Sequence, residues 1–129
     1  MSSKEEVVMK LSATFSSTSN MNFFLIHKQI GASIWKPIYK SEIQAAKSGA
    51  YHFNMINILT SDLAGDDIEQ PVRIDFFNSA KSGKHKHCGQ VTLTLGQLKE
   101  GTREYPLTDK KQKALGANYK MNFSQLEIK

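Results

Sequence analysis

VRIDFFNSAKSGKHKHCGQV, residues Val72–Val91, decides how this chain folds. Val72, Ile74 and Phe76 alternate with Arg73 and Asp75, the period of two of a half-buried strand. The run turns polar and basic through Asn78–His87 and recovers as a second strand from Gly89. Strand, charged loop, strand is how an antiparallel sandwich presents a loop at its rim. No acidic residue occurs between Asp75 and Glu100, so the loop is cationic without internal neutralisation.

The same reading extends outward in both directions. Val7–Phe15 alternates as a first strand, with Val7, Met9, Leu11, Ala13 and Phe15 on one side. Ser16–Met21 is a Ser/Asn-rich loop. Phe23–Ile30 is a second strand, Gly31-Ala32 turns the chain, and Ser33–Ile43 is a third. Pro37 lacks a backbone donor, which places this third strand at a sheet edge or a bulge. Along it, Trp35, Tyr39 and Ser41 share one side, and Lys36, Ile38 and Lys40 share the other. Tyr51, Phe53 and Met55 mark a fourth strand. Leu59–Gln70 is a loop with room for a helical turn, carrying Asp62, Asp66, Asp67 and Glu69. Val72–Phe77 and Cys88–Leu95 are the fifth and sixth strands. Leu95–Glu100 is one helical turn closed by Gly101, Arg103–Leu107 a seventh strand, and Asp109–Lys120 a basic loop. Lys120–Ile128 is the last strand, and its alternation slips between Phe123 and Leu126, the mark of a bulge. Eight short strands and no long helix indicate an all-β, antiparallel sandwich.

At 129 residues the chain suits one domain, 1–129, large enough to bury a core, with residues 1–4 expected to fray. A net charge of +5 favours acidic partners, although such a charge also serves solubility. The single cysteine, Cys88, cannot form an internal disulfide, in keeping with a reducing cytoplasm. The longest apolar run, Phe23–Ile26, is too short to span a bilayer, so any membrane contact is peripheral.

The pattern resembles a C2 domain, specifically the second C2 domain of copines. Phe23-Phe24-Leu25-Ile26 stands where that family has its "DPF" strand. WKPIYKSEI (35–43) is similar to the copine strand that runs tryptophan, basic residue, threonine, glutamate, hydrophobe. PVRIDFFN (71–78) resembles the strand leading into the third rim loop. Gly83-Lys84-His85 with Cys88-Gly89-Gln90 resembles "GKHDFIGE" without a gap, and DKKQKALGANY (109–119) the lysine-rich run before the last strand. The resemblance implies an eight-stranded antiparallel C2-type β-sandwich of type II topology, since one strand precedes the first rim loop. Copines continue into a von Willebrand A-type domain, to which no stretch of this chain corresponds.

The family binds calcium through five rim aspartates. Carried over one at a time, these positions fall on Ser16, Asn22, Asn78, Ala80 and Lys86. None is acidic, whereas calcium requires six to eight oxygens, several from carboxylates. Two adjacent divalent ions without a carboxylate would repel by about 4 kcal/mol at 4 Å in a moderate dielectric. The resemblance therefore implies a rim without calcium, and no metal or other cofactor is expected. Two readings of the lysines remain: Lys81, Lys84 and Lys86, with His85, replace the metal's charge and hold anionic phospholipid headgroups, or the loop is merely solvated. A second basic site is expected where Lys36 and Lys40 share a strand face. The partner is then an anionic membrane, or a protein docked on an edge strand or the acidic Leu59–Gln70 loop.

Other chemistries lack their residues. His85 and His87 make an incomplete zinc set, because Cys88 aligns with a core hydrophobe. There is no nucleophile elbow and no phosphate-cradling glycine loop, and Asp75 with His52 would lack a third group, so no enzyme is expected. Charge alone argues for nucleic acid, without the aromatic stacking motif, so none is expected.

Overall fold

The structure is a computed structural model, and it describes residues 5–15, 21–47, 49–65 and 67–129. Its strands are β1 (Glu6–Thr14), β2 (Met21–Gly31), β3 (Ile34–Lys40), β4 (Gln44–Ala45), β5 (Ala50–His52), β6 (Ile56–Leu59), β7 (Pro71–Asn78), β8 (Lys86–Thr94), β9 (Glu104–Pro106) and β10 (Lys120–Ile128). Two single-turn helices, α1 (Thr60–Ala64) and α2 (Leu95–Lys99), complete it. The first sheet runs β5-β1-β10-β9 with β6 also on β1, and the second runs β3-β2-β7-β8 with β4 on β2. All pairings are antiparallel. β5 and β6 are two parts of one interrupted strand along β1. Setting the two-residue β4 aside, that leaves the eight strands read from the sequence.

Tyr51–Met55 is thus misplaced as a strand of its own. Pairing stops at His52 and resumes at Ile56, and Phe53 is held between them by its N–H to the Leu11 carbonyl (3.0 Å). The break lets the buried Phe53 reach the core while Met55 stays exposed.

The core fills from both sheets. Val7, Met9, Leu11 and Ala13 face Phe24, Ile26, Ile74, Phe76 and Val91. Phe53 packs edge-on against Phe24 at 4.8 Å, and Phe15 stacks on Tyr51 at 4.9 Å. Burying one such ring is worth about 2–3 kcal/mol. Leu95 and Leu98 anchor α2, which Thr94 and Gln97 start as a capping box: Thr94 Oγ1 accepts from the Gln97 N–H and Gln97 Oε1 from the Thr94 N–H.

Four one-residue bulges shape the sheets, one of them at Ile30 on β2, between the partners of Trp35 and Ile34. On β10 the register slips opposite Lys10/Leu11, leaving Ser124 unpaired where the alternation breaks in the sequence. On β8 the slip falls at Cys88, between the partners of Phe76 and Phe77. On β3 it falls at Ile38: Tyr39 faces Ile26 and Pro37 faces His27. Pro37 therefore sits on an edge strand and beside a bulge together. The bulge at Ile38 overturns one expectation. Lys40 pairs with Leu25 on the outer face, but Lys36 pairs with Lys28, on the core-side parity of Val72. The extra residue flips the face, so Lys36 and Lys40 lie on opposite sides, as do Trp35 and Tyr39.

Candidate functional site: a basic rim above a buried carboxylate cluster

Register alone assembles the rim. Asn22 is the partner of Asn78, and Asn78 of Lys86, so three of the five carried-over calcium positions form one row across β2, β7 and β8. Ser16 lies outside the described residues. Asn22 and Asn78 are buried, and Asn22 Nδ2 donates to Asn78 Oδ1 at 3.0 Å. The same Nδ2 lies 3.7 Å from Cys88 Sγ. Asn22 Oδ1 is buried without a hydrogen-bond partner. A side-chain amide pair thus bridges β2 and β7 at the rim. Cys88 is half-buried against the core, and burial pushes its thiol pKa up. Among the described residues no group of three His, Cys, Asp or Glu side chains is arranged to hold a metal ion.

The loop beyond Asn78 is built to hold its lysines outward. The Ser79 N–H donates to the Met21 carbonyl, and the Gly83 N–H to the Ala80 carbonyl, a turn that needs the positive φ of Gly83 (82°). The Ala80 N–H donates to His85 Nδ1 at 2.9 Å. A backbone N–H can only donate, so His85 Nδ1 is unprotonated here. The His85 ring stands edge-on to Phe23 at 4.9 Å, Phe23 stacks on Phe77, and Lys40 Nζ sits 5.0 Å from the centre of the Phe23 ring. Of the lipid-binding candidates, Lys81, Lys84, Lys86, His85 and Lys40 therefore gather at one rim. Lys36 does not; it lines a cleft with Tyr39, Asn57 and Asp62.

Charge separates along the strand direction. The pairings Thr14–Ala50, Thr14–Lys120 and Lys120–Pro106 bring Lys47, bridged to Ala50, and the segment 107–119 to the same end as Asn78–Lys86. That end carries Lys40, Lys47, Lys81, Lys84, Lys86, Lys110, Lys111 and Lys113, against Glu42 and Asp109. Lys40, Lys47, Lys81, Lys84 and Lys86 form no ion pair among the described residues. The far end carries Glu5, Glu6, Asp62, Asp67, Glu69, Glu100 and Glu127, and there Lys99 pairs with Glu5 at 3.2 Å.

On the outer face of the second sheet lies a cluster that the sequence does not announce. Asp75 is 3% exposed. Arg73 Nε donates to its Oδ2 at 2.8 Å, and His87 Nε2 lies 2.8 Å from its Oδ1. His27 Nδ1 sits 3.0 Å from Oδ2, at ion-pair distance but off the hydrogen-bond line. Burial works to raise the Asp75 pKa, but the contacts from His27, His87 and Arg73 hold it well below the usual carboxylate range. The Arg73 guanidinium lies over Trp35 at 4.7 Å, which fixes the edge-strand tryptophan. His52 is not the partner of Asp75: it is exposed on β5 in the other sheet, opposite Ser12. The available signal was weak, three polar residues each at an outward position of a separate strand.

The two sheets and their strand order define a C2-type β-sandwich, with one strand, β1, before the first rim loop. Among solved structures, one described as BON1-C2B matches with a TM-score of 0.80 at 12% identity, over 98% of this chain and 92% of that one. Another, from work titled "CC2D1B coordinates ESRCT-III activity during the mitotic reformation of the nuclear envelope", matches with a TM-score of 0.63 at 12% identity. It covers 100% of this chain, which spans 55% of that one. No protein-family model matches the sequence, and neither does any curated protein. At such identities the likeness establishes the fold.

Proposed function

We propose that this protein is a non-catalytic, calcium-independent C2-type module, akin to the second C2 domain of copines, that contacts anionic phospholipid membranes peripherally on their cytoplasmic side. The observation that carries the reading is the rim. Lys40, Lys81, Lys84 and Lys86 project from a pinned loop system and its flank without a carboxylate partner among the described residues, and Lys86 stands in the row where the family's metal ligands would stand. A fixed cation supplies the charge that a bound calcium supplies elsewhere, so attraction to phosphate is permanent. Each lysine near an anionic bilayer contributes about 1 kcal/mol, and the attraction decays over a Debye length.

Co-sedimentation with phosphatidylcholine vesicles, with and without phosphatidylserine, tests this at two salt concentrations. Binding should require phosphatidylserine, weaken with salt, and be equal in calcium and in chelator. Replacing Lys81, Lys84 and Lys86 with Gln should weaken it about a hundredfold. Binding that appears only with calcium would overturn the reading. Indifference to lipid charge would favour a protein-interaction module instead. That second reading rests on the far end, where Ile30 (55% exposed) and Ile34 (59% exposed) flank the β2–β3 turn.

A further inference from the structure

The Asp75 cluster has no part in the rim's proposed contact, yet its chemistry is specific. An ionised carboxylate only accepts, so the His87 nitrogen facing it, Nε2, carries the proton. In the neutral ring, Nδ1 is then a lone pair. His27 turns Nδ1 toward the same carboxylate, which leaves Nε2 as its outer nitrogen. Among the described residues neither outer nitrogen has a hydrogen-bond partner, and neither is among the buried atoms left without one, so both stay open to solvent. Both rings, with Arg73, Phe77, Gln90 and Lys110, line a pocket of about 280 Å³. That is below the size of sites for drug-like molecules and suits one small polar group.

The charged groups facing the pocket are few. β7 supplies Arg73 and Asp75, β2 His27, β8 His87, and the 107–119 loop Lys110; β3 supplies the neutral Trp35 over Arg73. With both rings neutral, Arg73 and Asp75 offset each other and Lys110 leaves the pocket at +1, with the His87 Nδ1 lone pair facing outward. Each proton taken up adds a unit of positive charge, and on His87 it turns that lone pair into an N–H donor. With both rings protonated the pocket stands at +3 and offers donors from three strands and a loop. Asp75 fixes which nitrogen of each ring faces outward, so the change is directed at the pocket.

We infer that this pocket binds a tetrahedral dianion of the phosphate-monoester class, and that binding is coupled to proton uptake by His27 and His87. The ligand's chemistry is the same for a phosphorylated lipid headgroup and for a free phosphate. The inference does not require the rim to touch a membrane.

Titration calorimetry with sulfate, which stays a dianion across the range, isolates the protein's protons; inorganic phosphate is the second probe. Affinity for sulfate should rise about tenfold or more between pH 7.5 and pH 5.5. His27→Gln and His87→Gln should each flatten that dependence. Lys110→Gln, on an exposed loop that leaves the fold intact, should weaken binding at both pH values and keep the slope. His52→Gln, exposed on β5 in the other sheet, should change neither. Vesicles containing a phosphatidylinositol monophosphate, competed with sulfate at pH 5.5, separate the sources. Displacement identifies a headgroup as ligand, and sulfate binding without displacement identifies a free phosphate. Absence of binding by either anion to protein shown folded by circular dichroism would overturn the inference. So would a pH dependence that survives loss of both histidines.

Discussion

Three residues apart on β7, two buried polar sites solve opposite problems. At Asn78, facing the core side, there is no charge: a neutral amide pairs with Asn22, and Asn22 Oδ1 is left without a partner. At Asp75, facing outward, charge has been kept: a carboxylate that is 3% exposed is held ionised by groups from three adjacent strands. The difference teaches what a buried anion requires. Partners that converge on it, Arg73 on its own strand and the imidazoles of His27 and His87 from β2 and β8, keep it ionised; where the neighbours are an amide and a thiol, a neutral side chain is the stable choice.

The largest effect should follow from erasing that contrast at Asp75. Asp75→Asn leaves Arg73 and two histidines without their anion, and should cost about 3 kcal/mol in urea unfolding at pH 7. The sign with pH is fixed by the depressed Asp75 pKa. Its contribution is present above the unfolded value of about 3.9 and is lost as pH falls toward the folded one, so wild-type stability should drop below about pH 4 and the variant's should drop less. A loss under about 1 kcal/mol at pH 7 would show that water screens the cluster. Next in size is Asn22→Asp, which sets a charge where none is compensated and removes the donor to Asn78. It should cost about 2 kcal/mol at pH 8. Burial raises the new carboxyl's folded pKa, so the deficit should shrink as pH falls toward 4, which unfolding at the two pH values would read. Smallest is Lys86→Ala. This exposed side chain should change stability by under about 0.5 kcal/mol, yet weaken binding to phosphatidylserine vesicles about fivefold.

Much of the fold was legible because it is local. The period of two in Val7–Phe15 and Val72–Phe77, the helical turn at Leu95–Glu100, and the broken alternation near Ser124 are statements about neighbours in the chain. What escaped was set by partners across strands. Ile38 looks like any strand residue, but as a bulge it sends Lys36 and Lys40 to opposite faces. Asp75 reads as a solvent-facing polar residue beside Arg73 until β2 and β8 bring His27 and His87 against it. Ile56–Leu59 was passed over because the interruption at Phe53–Met55 hid the resumption of pairing with β1. Asn22, Asn78 and Lys86 fall in one row because the strands on either side of the basic loop set the register there.

At the far end of the sandwich, the Glu6 N–H donates to the Lys129 carbonyl and the Lys129 N–H to the Glu6 carbonyl. This reciprocal pair places β10 and β1 where a tight turn could splice them. A polypeptide that opened instead within 107–119, with β10 leading into β1, would thread the same two sheets in the same spatial order. For this architecture, then, where the covalent thread is cut is a matter of genetic wiring, and the layered arrangement is indifferent to it.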